Sequence, residues 1–351
     1  MRVFVHIGLP KTGTSYLQGI LWGQRDQLRA AGLFVPGRRR RDHLWSSMVV
    51  RDDPNVTRRH PDAPAAWDVV RREVAGQESD AIISHEFFCA ASAAQAQRMV
   101  ADLAPAEVHV VVTARDPLGI FASSWQESLK NKGTQSMDTY AREVSDDPRD
   151  VWNWRALDLA LVLERWGSAV PPEHLHVLTS APGAERTELW RRLCSVIGLD
   201  PAAADTSGVF PNESMGVVEA ETLRRLNQRL TGFDSARDRG VWIRTFLADK
   251  RLVPRGGEKF WPGRDQVEDC RRRGEAAALA VQSGGFDLIG SLDDLRVPAE
   301  LPERRHPGSV TDAEVAEVAL DLAAQLLADV RDRSATPDAA EPERRRWRRK
   351  S

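Results

Sequence analysis

Residues 3–15 read Val3-Phe4-Val5-His6-Ile7-Gly8-Leu9-Pro10-Lys11-Thr12-Gly13-Thr14-Ser15, an apolar run that stops at a glycine and gives way to a Gly/Thr loop. Beyond it, residues 15–31 carry Leu17, Leu21, Gln24 and Leu28 in helical order. A strand, a glycine-containing loop and a helix start bring backbone N–H groups and the positive end of a helix dipole to one point. The predicted occupant is a phosphate or sulfate. Gly13 lets the main chain approach it closely, Lys11 supplies a point charge, and Thr12, Thr14 and Ser15 supply hydroxyl donors.

The rest of the first half repeats this alternation. Strands are expected at 81–85 and 174–179, with a short one at 33–35, and helices at 93–103 and 186–197. Residues 108–113, Val-His-Val-Val-Val-Thr, are so uniformly β-branched that they belong at the sheet centre, buried on both faces. The predicted fold class is α/β, a parallel sheet flanked by helices. After residue 202 the pattern turns helical, at 216–230, 241–252, 266–281 and 312–333. The last begins with the capping box Thr311-Asp312-Ala313-Glu314, and its apolar stripe Val315, Val318, Leu322, Leu326 and Val330 should pack on the body. Residues 253–264, rich in Gly, Pro and aromatics, suit a mobile lid or binding loop. The organisation is one domain over 1–333, an α/β core at 1–200 and a helical extension at 201–333, followed by a disordered basic tail at 334–351.

The 351 residues carry 49 Lys and Arg against 51 Asp and Glu, a net charge of −2, which fits neither a protein that coats nucleic acid nor an acidic disordered chain. Six of the basic residues lie in Arg344–Lys350, leaving an acidic body of 43 against 51. Cys89, Cys194 and Cys270 stand far apart with no CxxC spacing, so neither a disulfide framework nor structural zinc is expected, and the reducing cytoplasm is the default compartment. No apolar run approaches the roughly 20 residues of a membrane span, and residues 1–8 are too short in apolar run for a signal peptide.

The Gly8–Ser15 loop resembles a phosphate-binding loop but departs from the nucleotide-triphosphatase pattern GxxxxGK[ST], in which lysine immediately precedes the hydroxyl residue that holds magnesium. Here Lys11 precedes the glycine, no magnesium-binding position is evident, and no clear acidic strand end of the Walker-B kind is found, the 81–85 strand running into Ser84-His85-Glu86 and the 108–113 strand into Arg115. Pro10-Lys11-Thr12-Gly13-Thr14-Ser15 is similar to the loop with which sulfotransferases hold the 5′-phosphosulfate of 3′-phosphoadenosine 5′-phosphosulfate (PAPS). Arg115-Asp116-Pro117, followed by Ser123 and Trp125, resembles the Arg…Ser element that in the same family holds the 3′-phosphate of the donor. The 211–216 segment Pro-Asn-Glu-Ser-Met-Gly looks like a further family element, and helix 123–130 is similar to a bacterial subgroup acting on carbohydrate-like or small acceptors. The resemblance, motif-bearing over about residues 1–215, implies a P-loop-like α/β fold, PAPS as co-substrate and no metal. A magnesium-dependent nucleotide kinase or NTPase with an atypical loop is the competing reading.

In-line sulfuryl transfer needs a base for the acceptor proton and a cation for the leaving phosphate. Lys11 is the natural cation. The expected base is Glu86, in Ser84-His85-Glu86 at the end of a strand, where the resemblance to carbohydrate sulfotransferases also puts a catalytic Glu; His85 competes with it, and a cap or an arginine pair is the bland use of Glu86. His174 and His176 lie two apart on a strand with no third ligand recognisable nearby, so no metal site is predicted. His43, after the arginine run 38–41, and His60 are read as loop residues, Trp125, Trp152, Trp154, Trp166 and Trp190 as core, and Trp261 as an exposed ring. Lys130 lies seven residues after Ser123, on the same helix face, and is either a contact to donor or acceptor or a surface lysine. Loops 38–60, 134–150 and 253–264 would choose the acceptor, a carbohydrate or small molecule bearing a hydroxyl or amine; oligomeric state is not legible.

Overall fold

The structure, a computed structural model, describes residues 1–181, 183–208 and 214–335. Pro211, Asn212, Glu213 and the basic tail from residue 336 on lie outside the described residues. Six strands form one all-parallel sheet: β1 (Arg2–His6), β2 (Leu33–Phe34), β3 (Asp80–Ser84), β4 (Glu107–Ala114), β5 (Leu175–Thr179) and β6 (Asp287–Ile289), in spatial order β2-β3-β1-β4-β5-β6. The 108–113 run therefore sits near the centre, in register with β1 (Val3 opposite Val108, Val5 opposite Val110) and with β5 (Val112 opposite Val177).

Strand periodicity sorts the core into two layers. Val3, Val5, Ile83, Val110, Val112 and Val177 face one way, into an apolar mass that runs on to Leu252 and Leu322. Their sequence neighbours Phe4, Ile82, Val111 and Leu178 face the other way, against Leu17, Ile20 and Leu21 of helix Thr14–Gly23 and Trp190, Leu193 and Ile197 of helix Arg186–Ile197. Trp125, Trp154, Trp166 and Trp190 are buried core residues, as expected.

The departures have local causes. The helix expected over 15–31 breaks at Gln24, whose φ of −129° leaves the helical region, and resumes as Arg25–Ala30. Residues 41–50, read as loop, form a helix that buries Asp42, His43, Ser46 and Ser47 beside the apolar Trp45, Met48 and Val50, so polar and apolar residues are interleaved on its hidden surface. The helical extension also supplies the edge strand β6, paired with β5. Residues 253–264 are joined to the body at several points: Gly216 and Val217 donate their N–H groups to the carbonyls of Gly256 (2.8 Å) and Glu258 (2.9 Å), and Phe260 is buried in a bridge to Arg305. Trp261 is not an exposed platform, since its indole N–H donates to the Pro302 carbonyl at 3.1 Å and the Arg304 guanidinium covers its face. Helix Asp312–Ala335 docks through Val318 and Leu322, while Leu326 and Val330 stay 37% and 60% exposed. Among the described residues no helix is long and apolar enough to cross a membrane.

Candidate functional site

The carboxyl ends of β1, β3, β4 and β5 open onto one cavity of about 1160 Å³. Open parallel sheets bind ligands at this edge, because the strand-to-helix turns there leave a crevice lined by helix N-termini. Pro10, Lys11, Thr12, Gly13, Thr14, Ser15, His85, Glu86, Arg115 and Ser123 all line it, as does Lys130. Residues more than 100 positions apart thus converge. His43, His60, His174, His176 and Trp261 do not line it.

The Gly8–Ser15 loop is anchored by continuing β1–β4 pairing past the strand: Ile7 N–H donates to the Val111 carbonyl (2.9 Å) and Leu9 N–H to that of Thr113 (2.8 Å). Gly13 then takes φ of 92° and caps helix Thr14–Gly23. A side chain here would be strained by that φ and would strike Leu189. Lys11 itself sits at φ 69°, a conformation that a non-glycine residue holds only when its surroundings enforce it.

Enforcement comes from a buried chain of polar side chains. Thr12 Oγ1 donates to the Leu9 carbonyl at 2.6 Å, so the Thr113 hydroxyl, 2.7 Å away, must donate to Thr12. Thr113 Oγ1 in turn accepts from His6 Nε2 at 3.3 Å, which leaves His6 Nδ1 to accept from the Ser84 hydroxyl at 2.8 Å. The Ser84 N–H donates to His43 Nδ1 (3.1 Å), and His43 Nε2 donates to the Pro36 carbonyl (2.8 Å). Burial lowers the His6 pKa to about 4 and that of His43 to about 3, keeping both rings neutral and this one-way order intact. His43 is therefore an internal strut rather than a loop residue that reaches a ligand. The Thr12 hydroxyl is used within the loop, whereas Thr14, Ser15 and the main-chain N–H groups of the loop line the cavity.

Helix Pro117–Lys130 positions the second group. Asp116 caps it, accepting from Gly119 N–H at 2.6 Å, and also holds the Arg115 guanidinium at 3.1 and 3.2 Å. Gly119 makes room, because a Cβ there would collide with that guanidinium. Two turns further on, Glu127 accepts from Lys11 Nζ at 3.2 Å and from the Arg244 guanidinium. Burial acts to raise the Glu127 pKa, but Lys11 and Arg244 outweigh it and hold the carboxylate down at about 2. Lys130 donates to Asp249 at 2.6 Å.

Glu86 faces the cavity with Gln18 Nε2 donating to its Oε2 at 2.9 Å. Burial pushes the Glu86 pKa up, yet the His85 ring, its own backbone N–H and the Gln18 amide more than offset that and set it below the ordinary value. His85 Nδ1 accepts from Phe87 N–H at 3.1 Å. Burial lowers the His85 pKa against the opposing pull of the Glu86 carboxylate, and in its neutral form the ring carries its proton on Nε2 and offers the cavity a donor.

Sequence reading missed Glu127, Gln18 and an arginine set, Arg51, Arg59, Arg149, Arg239 and Arg244, that joins Lys11, Arg115 and Lys130 around the cavity. Among the described residues, eight basic and five acidic side chains line it, in a chain whose body is acidic. Their signal is spatial only, since Arg239 and Arg244 come from helix Arg239–Leu252, over 100 residues after the helix they face. Of the 211–216 segment, Ser214 lines the cavity, with Lys259 Nζ donating to its hydroxyl at 2.7 Å. Among the described residues the group with metal-ligand spacing, Glu107, His109 and His174, lies at the opposite edge of the sheet. Compared with models of known protein families, with curated proteins and with solved structures, the chain matches none.

Proposed function

We propose that this chain is a sulfotransferase that moves a sulfuryl group from PAPS to a hydroxyl or amine of a carbohydrate or small-molecule acceptor. The observation that carries this reading is the convergence of Pro10–Ser15, Arg115, Ser123 and Glu86 on one cation-rich cavity at the carboxyl edge of a parallel sheet. In this reading the Gly8–Ser15 turn is a P-loop-like cradle. The loop amides, Lys11 and the Ser15 hydroxyl hold the 5′-phosphosulfate, and Arg115 with Ser123 holds the 3′-phosphate.

Transfer is an in-line displacement. The acceptor oxygen or nitrogen bonds to sulfur, the bond from sulfur to the bridging phosphate oxygen breaks, and the electron pair stays on adenosine 3′,5′-bisphosphate. Lys11 then leaves Glu127 for the leaving oxygen, while Arg244 keeps Glu127 neutralised. Glu86 takes the acceptor proton: it is ionised at neutral pH, whereas the free lone pair of His85 is engaged by Phe87 N–H. His85 Nε2–H is left to orient the acceptor by donating a hydrogen bond. Three buried, unpaired cysteines suit a reducing compartment such as the cytoplasm.

The test is transfer of labelled sulfuryl from PAPS to a panel of saccharides, aminosugars and phenols. Glu86→Gln should lower kcat about 100-fold or more with bisphosphate affinity unchanged, and Lys11→Ala should lose both transfer and affinity. Glu86→Gln turnover at the wild-type rate would overturn the assignment of the base.

A further inference from the structure

At the amino edge of the sheet, away from the cavity, three strands and a turn gather an imidazole and carboxylate cluster. Glu107 and His109 lie two apart on one face of β4, His174 ends the turn Pro172–His174, His176 lies on β5 and Asp287 opens β6. Glu107 Oε1 is 2.8 Å from His109 Nε2 and 3.5 Å from His174 Nε2, and the three ligand atoms lie within 4.8 Å of one another. The His109 ring stacks between its neighbours, with centroids 4.3 Å from His174 and 5.2 Å from His176. The two histidines read from sequence as lacking a third ligand thus acquire two more donors, brought over from the adjacent strand.

We propose that Glu107, His109 and His174 form a binding site for a divalent transition-metal ion of the zinc class. Two imidazole nitrogens and one carboxylate oxygen are the donor set such ions take, and tetrahedral ligands about 2.0–2.1 Å from zinc lie about 3.4 Å apart. The 3.5 Å separation of Glu107 from His174 already fits, and the 2.8 Å one to His109 is a hydrogen bond whose proton the ion replaces and releases to solvent.

The surrounding bonds complete the site. With His109 Nε2 on the ion, its remaining proton is on Nδ1, 2.9 Å from His176 Nε2, and His176 Nδ1–H donates to Asp287 Oδ2 at 2.6 Å. Ligating histidines are held by such outer partners, which fix the tautomer and the ring plane. Arg2, the nearby cation, is engaged by Asp80 through bonds of 2.6–2.9 Å. Glu107 and His174 reach solvent, at 53% and 24% side-chain exposure, so the ion has an entry path and an open fourth position for water. Bound there, it would join the start of β4 to the turn before β5.

The experiment is a titration of untagged, chelator-stripped full-length protein with Zn²⁺ against a chromophoric chelator, repeated with Co²⁺ to read its visible ligand-field band. One equivalent per chain is expected, with thermal unfolding shifted upward. His174→Gln and Glu107→Gln, both at partly exposed positions and checked for folding by circular dichroism, should each weaken binding at least 10-fold. Asp287→Asn should weaken it about 10-fold through the outer partners. His60→Gln, remote from the cluster, and Lys11→Ala, in the cavity, should bind as the wild type does. Absence of stoichiometric binding to the wild-type chain, or binding that survives both ligand substitutions unchanged, would overturn the proposal.

Discussion

Glu127 shows how much of the site rests on a residue with no motif around it. Its carboxylate faces two cations in a largely buried position and is held at about 2 from an ordinary 4.5. Because the folded pKa is depressed, the stability this group contributes is fully present above about pH 4.5 and is lost as pH falls through about 2. Glu127→Gln should therefore cost about 2–3 kcal/mol at pH 7, by urea denaturation, and the gap from the wild type should close as pH falls toward 2. A gap that persisted unchanged at low pH would show that packing, not charge, is what the substitution removes. Glu86 has the same sign. Its lowered pKa predicts that kcat stays flat from neutral pH down through the ordinary carboxylate range and falls only below it. A loss of activity that begins above the ordinary carboxylate range, but below the ordinary imidazole value, would point to His85 instead. At this scale Lys11, Glu86, Arg115 and Ser123 were legible because each sits in a short motif next to a strand end. Glu127 and Arg244 were not, because their pairing joins residues 117 positions apart.

The elements were more legible than their side-chain uses. Short apolar runs marked five of the six strands, whereas β6, Asp287–Ile289, follows a 21-residue helix inside the half of the chain whose pattern reads as helical. Helix Arg41–Val50 escaped for a different reason, since its buried surface mixes Trp45 and Met48, packed against Val56 and Ala66, with polar residues such as His43, which bonds to Pro36 and Ser84. The loop itself was readable from Gly13 and Lys11, but the chain from Ser84 through His6 and Thr113 to Thr12 was not, because it crosses three strand ends. Two substitutions test it. Thr113→Val leaves His6 Nε2–H buried without an acceptor and should cost about 1–3 kcal/mol, with a higher KM for the donor as the loop loosens. Gly13→Ala, at φ 92° and against Leu189, should cost about 1–3 kcal/mol and lower donor affinity with kcat affected less. Equal donor affinity in both variants would mean that the loop conformation does not govern binding.

Across the whole molecule, charge is distributed against its average. The chain is net −2, its body more acidic still, yet among the described residues the cavity gathers eight basic side chains against five acidic ones. Such a pocket focuses field on an anion, and donor association should slow with added salt. Adenosine 3′,5′-bisphosphate, the product of the proposed reaction, probes that cavity without knowledge of the acceptor. The decisive measurement is thermal unfolding with this nucleotide, compared with ATP plus Mg²⁺ and with AMP, on the wild type and on Arg115→Ala, each read against its own unliganded baseline. At 100 times its Kd the bisphosphate should add about 2.7 kcal/mol to the folded wild type, AMP much less, and the gain should disappear in Arg115→Ala. Stabilisation by ATP with Mg²⁺ and none by the bisphosphate would contradict the sulfotransferase reading and favour a kinase or NTPase.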